Sequence, residues 1–114
     1  MQAERIFHLE AEFLKALAHP TRVRILELLR DGEKCVCEFT EDLDLEQANI
    51  SQHLAVLKKQ DIVTSRKEGL RMMYQVNYPD VYAILDVVRR ILVSQADATV
   101  ALLKVVKREE KGGK

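Results

Sequence analysis

The feature that most restricts how this chain can fold is a change in its hydrophobic period. Through roughly the first half, apolar side chains recur at three- and four-residue intervals, the spacing of amphipathic helices. Two short β-branched or aromatic runs follow, 62–67 and 70–76, one on either side of Glu68-Gly69, and together they read as a hairpin. Beyond Tyr78-Pro79 the helical spacing returns. A mainly helical domain carrying one β-hairpin follows from this order.

The helical half has clear punctuation. Segment 3–18 carries Phe7, Leu9, Phe13, Leu14 and Leu17, and it ends at His19-Pro20 because the residue before a proline avoids the helical region. Pro20 suits the first turn of a second helix, 20–30, with Val23, Ile25, Leu26 and Leu29 apolar. Asp31-Gly32 stops it. A short third helix, 35–42, presents Val36, Phe39 and Leu43 inward, and a tight turn leads to a fourth, 46–60, that buries Ile50, Leu54 and Leu57. The last helix, 79–106, carries Val81, Ile84, Leu85, Val88, Ile91, Leu92, Ala98, Leu102 and Val105, more apolar surface than a small monomer covers. A second copy is expected to bury it together with the first helix, making a homodimer. With 114 residues there is room for one core, so 1–106 reads as a single domain and 107–114 as a disordered tail.

Two short helices joined by a tight turn, the second followed by a basic hairpin, form a winged helix-turn-helix. The outer face of the fourth helix supports this reading. At about 100° per residue, Ala48, Gln52, Ala55 and Lys59 lie opposite Ile50, Leu54 and Leu57, with Asn49 and Ser51 beside them and Gln47 in the first turn. Small residues let the backbone approach base edges. Gln can pair with adenine through two bonds, and Ser can reach several acceptors. An ordinary solvated face would carry Glu and Lys throughout. His53 lies at the border, either a phosphate contact or a half-buried histidine bonded within the motif. Arg66, Lys67 and Arg71 surround the hairpin tip and suit phosphates or a narrow minor groove; a charged tip can equally be only solvated. Arg22 and Arg24 read as intramolecular salt-bridge partners.

Zero net charge argues at first against a nucleic-acid partner, but the charges are unevenly spread. Residues 1–45 hold 6 Lys or Arg against 10 Asp or Glu, residues 46–71 hold 5 against 3, and residues 72–114 hold 7 against 5. The basic excess falls within and after the candidate DNA element, and counterion release depends on charge at the contact. No apolar run approaches the roughly 18 residues that span a bilayer, and the first residues lack the apolar core of a signal peptide. A cytoplasmic protein with no membrane partner is expected, and there thiols stay reduced. Cys35 and Cys37 are then not a structural staple.

Several stretches together resemble the ArsR/SmtB family of metal-responsive repressors: Leu17-Ala18-His19-Pro20-Thr21-Arg22-Val23-Arg24-Ile25-Leu26, Cys35-Val36-Cys37-Glu38-Phe39, Asn49-Ile50-Ser51-Gln52-His53-Leu54 with Leu57 and Ile62-Val63, then Arg66-Lys67-Glu68-Gly69 and Tyr74. The resemblance implies a dimeric, non-enzymatic repressor that sits on double-stranded DNA at imperfect inverted repeats and leaves when an inducer binds. Two positions depart from the family pattern. Glu46 stands where a Ser helix cap is usual, a loss Asp44 is expected to make good. Asp61 stands where Gly is usual, and Asp tolerates the left-handed conformation.

Cys35 and Cys37 match the family's thiolate metal box, and soft sulfur selects soft ions. The third cysteine of arsenic-responsive members is here Thr40, and the last helix has Asp86 and Asp97 but no histidine for the family's zinc site. Zinc or cadmium would want four ligands, leaving two to water, His8, His19 or a carboxylate. As(III) or Sb(III) needs about three and is the favoured inducer, an external thiol or hydroxide completing the set; no cofactor is needed for folding. A reversible thiol switch and plain packing of two small residues remain alternatives, as does a winged-helix protein-interaction module that binds no DNA. A thiol enzyme is disfavoured because nothing orders a Cys–His pair. Within one helix the two cysteines would point about 200° apart, so closing on one ion is expected to unwind the start of the third helix.

Overall fold

A computed structural model describes residues 2–112. The chain divides after Tyr78 into two compact units. The first contains α1 (Gln2–Leu17), α2 (Pro20–Leu28) continued by a 3-10 turn (Leu29–Asp31), β1 (Lys34–Cys35), α3 (Val36–Leu43), α4 (Gln47–Lys59), β2 (Val63–Glu68) and β3 (Arg71–Val76). The second is the single helix α5 (Asp80–Gly112).

The expected periodicities place the core of the first unit. Ile25 and Leu26 of α2, Phe39 of α3, and Ile50, Leu54 and Leu57 of α4 are fully buried, joined by Ile62 and Val63 at the start of the hairpin. Each such side chain contributes about 1.5–3 kcal/mol of burial free energy, so this cluster fixes how α3 and α4 cross. The α1 helix contributes only Ala16 and Leu17 to it, while Ile6, Phe7, Leu9 and Leu14 stay exposed.

The hairpin pairs Val63 with Val76 through to Glu68 with Arg71, leaving Gly69 and Leu70 as its two-residue loop. Gly69 has φ 62° at the first loop position, the conformation a type II′ turn requires there and that glycine adopts without strain. Asp61 takes the left-handed conformation its position demands, with φ 58°.

Three local features differ from the sequence reading. The sheet has a third strand, β1, pairing Lys34 with Tyr74 and Cys35 with Met73; two residues are too few to show a period. Residue 35, expected to open the third helix, is therefore extended (φ −88°, ψ 166°) and only caps α3. Asp44 does not cap α4. It is the left-handed C-cap of α3 (φ 53°), and Glu46 caps α4 with no side-chain bond.

The second unit is a 33-residue helix, about 50 Å long at 1.5 Å per residue. Val88, Ile91, Leu92, Leu102 and Val105, expected on its apolar face, are exposed. The backbone stays helical through Gly112 although the composition of 107–114 suggests a frayed tail; Gly113 and Lys114 lie outside the described residues. No helix among the described residues is long and apolar enough to cross a membrane.

Candidate nucleic-acid interface and its neighbouring cysteine pair

The α4 helix presents the face the sequence suggested. Ile50, Leu54 and Leu57 point into the core, and Gln47, Ala48, Asn49, Ser51, Gln52 and Lys59 are all exposed. Of the six, only Lys59 carries a charge, so the helix offers small and amide side chains at its N-terminal half and a cation at its end. Lys58, which the sequence reading passed over, donates to the Ser65 hydroxyl at 2.7 Å and ties the end of α4 to β2.

His53 belongs to a brace beneath this face. It is half-buried, and its Nδ1 lies 3.2 Å from Arg22 Nη1. A guanidinium only donates, so Nδ1 accepts and the ring proton sits on Nε2. His53 also stacks against His19 with ring centroids 4.2 Å apart. His19 Nδ1 in turn accepts from the Thr21 amide at 3.0 Å and caps α2. Arg22 donates to the carbonyls of Ala16 at 2.6 Å and Lys15 at 3.0 Å, satisfying the open end of α1. Arg22 was expected to pair with a carboxylate; its partners are carbonyls and an imidazole, because Pro20 has no N–H to offer the Ala16 carbonyl, while the Lys15 carbonyl also accepts from the Ala18 amide at 3.1 Å. Arg24 is exposed and pairs with no carboxylate among the described residues.

Burial, together with the charges of His19 and Arg22, holds the His53 pKa below its ordinary 6.5. The unfolded chain therefore binds a proton that the folded chain refuses in the window between that lowered value and 6.5, so stability rises with pH there and falls on acidification. Urea midpoints measured from pH 5 to 7.5 should climb through this window. In His53→Gln that climb should flatten.

Hairpin cations divide into two kinds. Arg66 is held at 2.7 Å from both carboxylate oxygens of Glu33 and 2.9 Å from Glu68. This bidentate clamp draws the Glu33 pKa below its usual value, and it fastens β2 to the chain just before β1. Lys67 and Arg71 are exposed and form no ion pair among the described residues. Glu33→Gln removes one of the two carboxylates that hold Arg66 and adds one net positive charge to this surface; because the pair is solvent-exposed, the urea midpoint should scarcely move. The same change should steepen the salt dependence of DNA binding by up to about one counterion, measured as the slope of log affinity against log salt.

The cysteines lie beside this surface. Cys35 is 2% exposed and Cys37 is exposed, with Cα atoms 5.3 Å apart and their sulfurs joined as a disulfide. Among the described residues there is no free cysteine. Two expectations are corrected here. The cysteines do not diverge by 200°, because Cys35 is extended and only Cys37 is helical, so sulfur can meet sulfur without unwinding α3. Nor are they separate thiols in this structure: the extended residue places the two atoms in bonding reach. Glu38 accepts from the Cys35 amide at 2.9 Å and steadies the junction. Thr40, at the position of a third ligand, donates its hydroxyl to the Cys37 carbonyl at 2.8 Å. No group of three His, Cys, Asp or Glu able to hold a metal ion occurs among the described residues.

The profile of the bacterial regulatory proteins of the arsR family matches residues 19–65, the span from the α2 cap into β2. The HTH-type transcriptional regulator Rv0081 of Mycobacterium tuberculosis is 41% identical over 105 residues, covering 91% of this chain and 92% of that one. The chain belongs to the ArsR family. The crystal structure of Rv0081 superposes with a TM-score of 0.75 over 83% of this ArsR-family chain and 96% of its own. The arsenical resistance operon repressor of Staphylococcus xylosus is 42% identical over 65 residues, 57% of this chain and 62% of that one. A homodimeric winged helix-turn-helix DNA-binding domain from Mycobacterium bovis, solved in solution, is 27% identical with a TM-score of 0.75, covering 85% of this chain and 90% of that one. The winged helix-turn-helix is thus the fold of this ArsR protein, and transcription regulation is its field of action.

Proposed function

We propose that this ArsR-family protein is a homodimeric repressor that releases operator DNA when a trivalent arsenic or antimony species binds Cys35 and Cys37. The observation that carries the DNA-binding part is the exposed Gln47, Ser51 and Gln52 on a helix whose opposite face is locked in the core. In a dimer, two such helices enter successive major grooves about 34 Å apart on an imperfect inverted repeat. Exposed apolar residues on α1 (Phe7, Leu14) and on α5 (Ile91, Leu102) each offer surface for a second copy.

Arsenic suits the donor set. Two sulfurs lie side by side, and soft trivalent ions prefer thiolates. The arsenical repressor among the relatives supports the same choice. Cys35 is hydrogen-bonded into the sheet through β3, so displacement of its backbone acts on the hairpin directly. That route replaces unwinding of α3 as the link between inducer and DNA.

The joined sulfurs favour a second reading, a cytoplasmic thiol switch in which a peroxide takes two electrons and two protons from the pair. One experiment separates the two. Reduced protein bound to the DNA upstream of its gene is titrated with arsenite and, separately, with hydrogen peroxide. Under the arsenic reading, arsenite releases the DNA and Cys35→Ser/Cys37→Ser stays bound throughout. Release by peroxide alone points to the switch; release of the double variant by arsenite overturns the arsenic reading, and its release by peroxide overturns the switch.

A further inference from the structure

Beside the cysteine pair lies a cleft of about 500 Å³ whose lining includes Cys35, Cys37, Thr40, Gln47, Arg71 and Met72. A volume of this size matches sites for small organic molecules, about 300–1,000 Å³, and far exceeds what a single ion fills. We propose that it seats an acidic low-molecular-weight thiol, which supplies the third sulfur to arsenic held by Cys35 and Cys37. The inference rests on the arsenic reading above and says what completes it.

Three observations converge. The protein brings two sulfurs, and the third position is Thr40, which has no sulfur and donates its hydroxyl to the Cys37 carbonyl. The cleft contains one cation, Arg71, and that cation is unclaimed. Its cross-strand partner Glu68 gives its carboxylate to Arg66, and Arg71 forms no ion pair among the described residues. A guanidinium with free donors, opening on the same space as two sulfurs, selects a molecule with a thiol at one end and a carboxylate at the other. Gln47, the first residue of α4, opens on the cleft as well and can bond the same molecule.

The chemistry balances without an oxidant. Arsenous acid, two cysteine thiols and one small thiol form three As–S bonds, three As–O bonds break, and three waters leave with the thiol protons. Where the cysteines start as a disulfide, two equivalents of the small thiol first reduce it and depart as their own disulfide. The occupant engages Arg71 and Gln47, both on the candidate DNA surface, so occupancy withdraws two contacts from DNA at once.

The test uses reduced full-length protein and arsenite with three probes in turn: mercaptoacetate, 2-mercaptoethanol and cysteamine, which are anionic, neutral and cationic. Native mass spectrometry reads the complex of protein, arsenic and one thiol, and its half-saturation as thiol is raised. Mercaptoacetate should half-saturate at least tenfold lower than mercaptoethanol, with cysteamine weakest. In Arg71→Gln the preference should fall below twofold while the mercaptoethanol complex persists. Arsenic bound without any thiol, or with the three thiols alike, overturns the inference and leaves the arsenic reading standing. Arsenite that fails to bind at all overturns both.

Discussion

Alanine at Gln47, Ser51 and Gln52 together should weaken binding to the DNA upstream of the gene by roughly 10²–10³-fold, because lost base contacts cost about 1–3 kcal/mol each and partly overlap. All three side chains are exposed and carry no packing, so the thermal midpoint should move by no more than a few degrees. Binding to unrelated DNA should change much less, since phosphate neutralisation by Lys59, Lys67 and Arg71 is untouched. Mobility shifts at one fixed salt concentration, with and without competitor DNA, measure both quantities. A triple variant that still holds its operator at full affinity would mean that α4 does not read sequence.

Phe39→Ala should have the largest effect on stability, about 3–5 kcal/mol, the range for truncating a fully buried aromatic ring. Phe39 is fully buried on α3, the helix that packs on α4, so its removal opens a void beneath the helices that present the DNA face and the cysteines. A domain of ordinary stability, about 5–15 kcal/mol, loses a fifth or more of it. With a urea slope of about 1–3 kcal/mol per molar, the unfolding midpoint should drop by at least 1 M. DNA binding by this variant should recover on cooling toward the temperature of maximum stability, which separates it from the triple alanine variant.

The sequence revealed long elements and missed short ones, for a physical reason. Period is a statistical signal that needs several turns. It located α1, α2, α4, the hairpin and α5 to within a few residues, apart from the C-terminal end of α5, and correctly placed Gln47, Ser51 and Gln52 outside the core. The two-residue β1 offers no period to read, and with it went the conformation of Cys35. From that one misassigned residue followed the mistaken divergence of the sulfurs and the unneeded unwinding of α3. Asp44 was misread for a related reason: its composition fits an N-cap and a left-handed C-cap equally, and only the turn geometry decides. The Glu33–Arg66 clamp joins residues 33 positions apart, and a single sequence contains nothing that pairs them. Charge alone suggested a free cation at Arg66, whereas the fold spends it on two carboxylates.

The place of Cys35 in a strand has an engineering consequence. Strand side chains alternate faces with each residue, so one residue inserted between Gly32 and Cys35 would turn that sulfur from the interior to water while its partner stayed at the start of a helix. The two-cysteine motif is therefore not a portable cassette. Transplanted into another scaffold, it would need the adjoining strand, in register, to work as a chelator.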